Sequence, residues 1–129
     1  MTALRVLIVT GSRSGIPDGV SWGIERLEQL EREIANADLV LHGDADGVDR
    51  QAARLATQLN VHSMGIAALW RKRGKKAGPE RNTKLAEVAG LLQQGGADVH
   101  YAALPDSRSS GTWDAVNKLK AHGIRGKVY

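Results

Sequence analysis

The stretch Leu4-Arg5-Val6-Leu7-Ile8-Val9-Thr10-Gly11-Ser12-Arg13 decides the fold. Apart from Arg5, its first seven residues are aliphatic or β-branched. Such a run suits a strand covered on both faces rather than one, and strands of that kind belong to parallel sheets flanked by helices. The run stops at Gly11, where the lack of a side chain lets the backbone turn sharply and pass close to a ligand. From about Ser21 a helical stripe follows, with Ile24, Leu27, Leu30, Glu31 and Ile34 recurring on one side.

The same alternation continues outward. Asp38 to His42 is a second strand ending at Gly43, and Val48, Ala52, Leu55, Ala56 and Leu59 then recur at helical spacing. Residues 61–66 read as a short third strand and residues 71–78 as a basic, glycine-containing loop. Pro79 suits the first turn of a helix whose inward residues are Leu85, Val88, Ala89 and Leu92. Residues 97–104 form a fourth strand and 105–110 a polar loop. Residues 111–121 form a last helix with Ala115, Val116 and Leu119 inward, stopped by Gly123. Lys127-Val128-Tyr129 is left as a short terminal strand. Strands alternating with helices make βαβ units. The expectation is one α/β domain over residues 1–129, a Rossmann-like three-layer fold with a mostly parallel sheet of about five strands.

A chain of 129 residues fits one domain. It has no cysteine, which removes disulfides and thiolate metal sites. No apolar run approaches about 18 residues and no charged segment precedes a long apolar one, so the chain is expected in the cytoplasm, with no membrane partner. The formal charge of +4 suits an anionic ligand. Three Trp, two Tyr and no Phe are few aromatics for a single-strand nucleic-acid binder, which stacks bases along a groove.

Four polar clusters lie at carboxyl ends of strands, where open parallel sheets bind ligands. Gly11-Ser12-Arg13 offers free amides, a hydroxyl and a guanidinium to phosphate oxygens. An ordinary strand-to-helix turn accounts for it equally well. The segment is neither a complete G-x-G-x-x-G nor a P-loop. His42-Gly43-Asp44-Ala45-Asp46-Gly47-Val48-Asp49 crowds three carboxylates at a helix start. Asp46 is a candidate N-cap, and the surplus suits ribose hydroxyls, an arginine or Mg²⁺ held through water. The five cations between Arg71 and Lys76 form a solvated face by default and a polyphosphate or nucleic-acid contact otherwise. Arg81 and Asn82 differ in kind, because they sit just inside a helix near the sheet edge. Ser109-Ser110-Gly111-Thr112 opens the last helix, whose first amides are unpaired and form a phosphate seat, the plainer alternative being Ser110 as an N-cap. Of the four histidines, His42 alone falls at a candidate site, and none has metal-ligand spacing.

These clusters resemble the SLOG superfamily, specifically its small YspA-like branch. The matching stretches are VTGSR at 9–13, HGDADGVDRQAARLA at 42–56, Trp70 with GKKAGPERN at 74–82, and SGT at 110–112 with Asp114 beyond. The resemblance implies a Rossmann-like nucleotide-binding domain. The superfamily also contains cytokinin-activating phosphoribohydrolases, a DNA-binding processing domain and sensors of NAD-derived nucleotides. The hydrolase pattern P-G-G-x-G-T-x-x-E is altered here. Two glycines are replaced, Ala115 stands at the glutamate position, and Asp114 is turned about 100° from it around the helix.

The functional expectation is a protein that binds a nucleotide or nucleotide-derived phosphate ligand, as sensor, sequestering protein or carrier, with no required cofactor. The phosphate is expected between Gly11-Ser12-Arg13 and Ser109-Ser110-Gly111-Thr112. The alternatives are an N-glycosidic-bond hydrolase of nucleoside phosphates or NAD-like molecules, expected to be weak, and a nucleic-acid-binding module. The catalytic residues of such a hydrolase are not assigned. A homo-oligomer is compatible with the sequence, which does not fix the oligomeric state.

Overall fold

Val6, Leu7, Ile8 and Val9 are wholly withdrawn from solvent because they lie on the central strand, with a helical layer on each side. The computed structural model describes residues 3–129. Met1 and Thr2, which open the segment expected to carry no export signal, lie outside the described residues.

In chain order the elements are β1 (Arg5–Gly11), α1 (Ser21–Ala35), β2 (Leu39–His42), α2 (Val48–Gln58), β3 (His62–Gly65) and α3 (Trp70–Arg73). A 3₁₀ turn (Gly74–Lys76), α4 (Ala77–Gln94), β4 (Asp98–Leu104), α5 (Ser110–Ala121) and β5 (Arg125–Val128) complete the chain. The strands form one sheet in the order β3-β2-β1-β4-β5. All four pairings are parallel, with Val9 opposite His42 on one side of β1 and Gly11 opposite Leu104 on the other. The expected Rossmann-like three-layer fold is therefore present.

Alternate residues of β1 feed two cores, as strand periodicity requires. Leu7 and Val9 pack with Leu30 and Ile34 of α1 and Val48, Ala52 and Ala56 of α2. Val6 and Ile8 pack with Leu85, Ala86 and Ala89 of α4 and Val116 and Leu119 of α5. Parallel crossovers are right-handed. Connections running from β1 toward β3 therefore place α1 and α2 on one face, and those running through β4 to β5 place α4 and α5 on the other. The edge strands β3 and β5 are exposed and only four residues long, which limits their reach as templates for pairing with another chain. No described helix is long and apolar enough to cross a membrane.

Three local expectations are corrected, while Pro79 falls in the first turn of a helix as expected. The basic stretch after Trp70 is helical rather than a loop, because Ala77 is buried and Arg73 closes a two-pronged pair onto Glu80 (Nε to Oε2 3.0 Å, Nη2 to Oε1 2.8 Å). α4 therefore starts at Ala77, and Pro79 is its third residue. Proline fits there because the first four helical N–H groups have no intrahelical acceptor. Ile24 is exposed, since the buried stripe of α1 runs through Gly23, Leu30 and Ile34. The last strand covers Arg125–Val128 rather than 127–129, its register set by Tyr101 opposite Gly126.

Gly47 fixes how closely the β1 exit meets α2. It has φ +81°, and a Cβ there would run into the carbonyl oxygen of Ser12. That same oxygen accepts the Val48 N–H at 3.0 Å. Gly47→Ala is expected to cost about 1–3 kcal/mol, the range for a non-glycine residue forced into this backbone region. Urea unfolding should show a lower midpoint at unchanged slope; an unshifted midpoint would mean that the turn relaxes freely.

Candidate functional site

β1 and β4 are neighbours, yet the chain leaves them toward opposite faces, so their carboxyl ends open a cleft. One link spans its base, the Ser12 N–H donating to the Leu104 carbonyl at 3.0 Å. Above this link lies a cavity of about 680 Å³, within the range of small-molecule sites. Thr10 to Ser14 line it from the β1 side, and Asp106 and Arg108 to Thr112 from the β4 side. Asp49, Trp70, Arg81, Asn82 and Asp114 line it further, together with Ala45, Gly78 and Pro79.

The start of α5 is arranged for an anion. Ser109 is its N-cap residue and Ser110 its first helical residue, and no side chain caps the first turn. The hydroxyl of Ser109 is instead engaged with Asp106, accepting the Asp106 N–H and donating to Asp106 Oδ1, both at 2.8 Å. The amides of Ser110, Gly111 and Thr112 are left without intrahelical acceptors and carry the positive end of the helix dipole. The Arg108 N–H, with the Ser109 hydroxyl second, holds the Asp106 carboxyl below the usual carboxylate range.

The third wall is tied together by Arg81 and Asn82 of α4. The Arg81 guanidinium donates to the Gly43 carbonyl at the end of β2, and its Nε donates to Asn82 Oδ1 at 2.9 Å. Asn82 is buried, and its Nδ2 donates to the Gly111 carbonyl at 3.1 Å and to Asp114 Oδ2 at 3.0 Å. Lys118 Nζ donates to the same Asp114 oxygen at 3.0 Å and to the Pro79 carbonyl at 2.8 Å. Arg81 and Asn82 thus brace three elements as well as lining the cavity.

The aspartates expected to form one cluster take separate roles. Asp49 is buried, and its Oδ2 accepts the Gly43 N–H at 2.7 Å and the Ala45 N–H at 3.4 Å. Asp46 is exposed and pairs with Arg50 at 3.0 Å, while Gly47 holds the N-cap position expected for it. Asp44 is exposed with φ +52°, and its N–H donates to Nδ1 of the buried His42 at 3.0 Å. Burial lowers the pKa of His42, and of Arg81 as well. His42, Gly43, Asp44, Asp46 and Gly47 therefore shape the loop behind the cavity rather than its wall.

Asp114 was expected to turn away from the site and instead lines the cavity, while Ala115 is the residue directed into the core. The roughly 100° step between successive helical residues separates them, in the opposite assignment to the one read from the motif. Trp70, Asp106 and Arg108 also line the cavity, beyond the site residues expected from the sequence. Trp70 was legible as part of the motif over residues 70–82, and its place on the cavity wall follows from the helical turns that carry it. Asp106 and Arg108 were legible as part of a polar loop at a strand end.

No family model matches the chain, and no curated protein matches it. Among solved structures it is similar to DNA processing protein A (DprA) from Streptococcus pneumoniae, with a TM-score of 0.52 at 17% sequence identity. The likeness covers 96% of this chain and 58% of that one, and what the two share is the fold.

Burial pushes the Asp49 carboxyl up to about 6 from an ordinary 3.8, against the opposing pull of two amides and Arg81. A carboxyl with a raised folded pKa binds more protons folded than unfolded between those values, so its effect is to lower stability as pH rises through that window. Asp49→Asn should remove a loss of roughly 3 kcal/mol between about pH 4 and pH 6. Urea unfolding of both proteins across that range tests this, and parallel stability curves would contradict it.

Proposed function

We propose that this protein binds a nucleotide or nucleotide-derived ligand through its phosphate, as a sensor, sequestering protein or carrier. The observation that carries the reading is the cavity at the point where the strand order reverses. Open α/β sheets bind ligands outside the carboxyl ends of their strands at such points. Here the turn after β1 faces the uncapped start of α5 across that cavity. Phosphate oxygens would take the amides of Ser110, Gly111 and Thr112 on one side and Ser12 with Arg13 on the other. Arg81 and Asn82 would keep the two sides in register. The sequence resemblance to the SLOG superfamily and the fold shared with DNA processing protein A both support a place in that superfamily, and the motifs resemble its YspA-like branch.

Two further readings rest on particular residues. An N-glycosidic-bond hydrolase needs a carboxylate near the ribosyl carbon to stabilise developing positive charge. Asp114 is in the cavity and supplies one. Binding without cleavage is preferred, because Asp114 already holds Asn82 and Lys118 and the family's glutamate position is Ala115. A nucleic-acid module would use the exposed Arg71, Lys72, Lys75 and Lys76, and the likeness to a DNA processing protein points the same way. Mg²⁺ held through water is a reading of the carboxylates of residues 44–49, and among the described residues no three His, Asp or Glu side chains gather as a metal site.

Titration calorimetry with AMP tests the main proposal. Arg13→Ala is expected to weaken binding by about 1.5–3 kcal/mol, the range for hydrogen bonds to charged groups. Arg13→Lys should recover part of that, since the planar fork is lost. Binding unaffected by both changes would place the phosphate elsewhere. Product analysis after incubation with AMP, NAD and ADP-ribose separates binding from hydrolysis. Turnover near 1 s⁻¹ or faster that vanishes in Asp114→Asn would establish the enzyme.

A further inference from the structure

The Arg13 guanidinium lies on the cavity wall. Among the described residues it enters no ion pair and no side-chain hydrogen bond, and it lies over the Trp70 indole with its Cζ 5.1 Å from the ring centroid. Trp70 is no core residue. It opens α3, lines the same cavity and is 48% exposed. The ring is seated against the first turn of α4, where a Cβ at Gly78 would lie 3.1 Å from Cη2. An exposed, costly aromatic held in this way, carrying a cation on one face, calls for an account that core packing does not supply.

We infer that Trp70 is a positioning residue for anion binding, its indole holding the Arg13 guanidinium in place to receive a phosphate monoester. The inference rests on the phosphate reading of the cavity given above. Stacking engages the flat face of the guanidinium, whereas its N–H donors lie in the plane, so ring and phosphate do not compete. A long side chain on an exposed turn otherwise samples many rotamers, and the ring removes that ordering cost before the ligand arrives.

The direct alternative is that Trp70 stacks on the ligand's base. Calorimetry with AMP and with ribose 5-phosphate separates the two. Trp70→Leu should bind both ligands about two- to fivefold more weakly, the range of a part-exposed cation–π contact. Trp70→Phe, which keeps an aromatic face, should stay within about twofold of the unaltered protein. Arg13→Ala should cost about tenfold or more, and Trp70→Leu added to it should cost nothing further, because the ring acts through the arginine. In the ligand-free protein, the NMR signal of the Arg13 Nε proton should carry a ring-current shift that Trp70→Leu abolishes, with an unchanged urea midpoint. A loss confined to AMP, additive losses in the double variant, or an unshifted Arg13 signal would each overturn the inference while leaving the phosphate reading intact. Failure of the unaltered protein to bind either ligand would remove the phosphate reading and this inference with it.

Discussion

Two hydrogen-bonded neighbours, β1 and β4, send their chains to opposite faces of the sheet, and the cavity exists because they part. That divergence follows from the right-handedness of parallel crossovers applied to a strand order that reverses at β1. Everything else at the site serves to hold the parted segments at a fixed distance. The Ser12 amide bonded to the Leu104 carbonyl closes the base of the cleft. The Ser12 carbonyl, bonded to the Val48 amide, fixes the β1 turn against α2. Arg81 and Asn82 then fasten α4 to the end of β2 and to α5.

This division of labour separates the arginines by role. Arg81 is half-buried and engaged with the backbone, so its charge contributes to the field inside the cavity while its position is set by the fold. Arg13 and Arg108 stand exposed on the wall. The buried Asp49 faces the opposite constraint. Its burial favours the neutral form, and the amides of Gly43 and Ala45 hold the charged form in place. Through this carboxylate the loop of residues 43–47 is tied to α2, and through Gly43 to Arg81.

The fold was legible because β1 is an apolar run and the segments between the strands repeat at helical spacing, the trace that a buried parallel strand and its covering helices leave. Boundaries slipped where packing outweighed local signals. The cations of residues 71–76 read as a loop, yet Trp70 and the buried Ala77 anchor them in helical turns. At the site, Gly11 to Arg13 and Ser109 to Thr112 were legible as strand-to-helix turns. The aspartates of residues 44–49 looked alike in sequence, and the structure separates them by where each backbone position points. Trp70 was legible only as part of the motif over residues 70–82, since its contact with Arg13 joins segments far apart in sequence.

The central claim is that the two turns at the strand reversal hold one anion between them. Amide chemical-shift mapping during titration with AMP tests it most directly. The account predicts the largest shifts at Ser12, Arg13, Ser110, Gly111 and Thr112, with one shared saturation curve. Shifts centred on residues 71–76, or none at the start of α5, would contradict it.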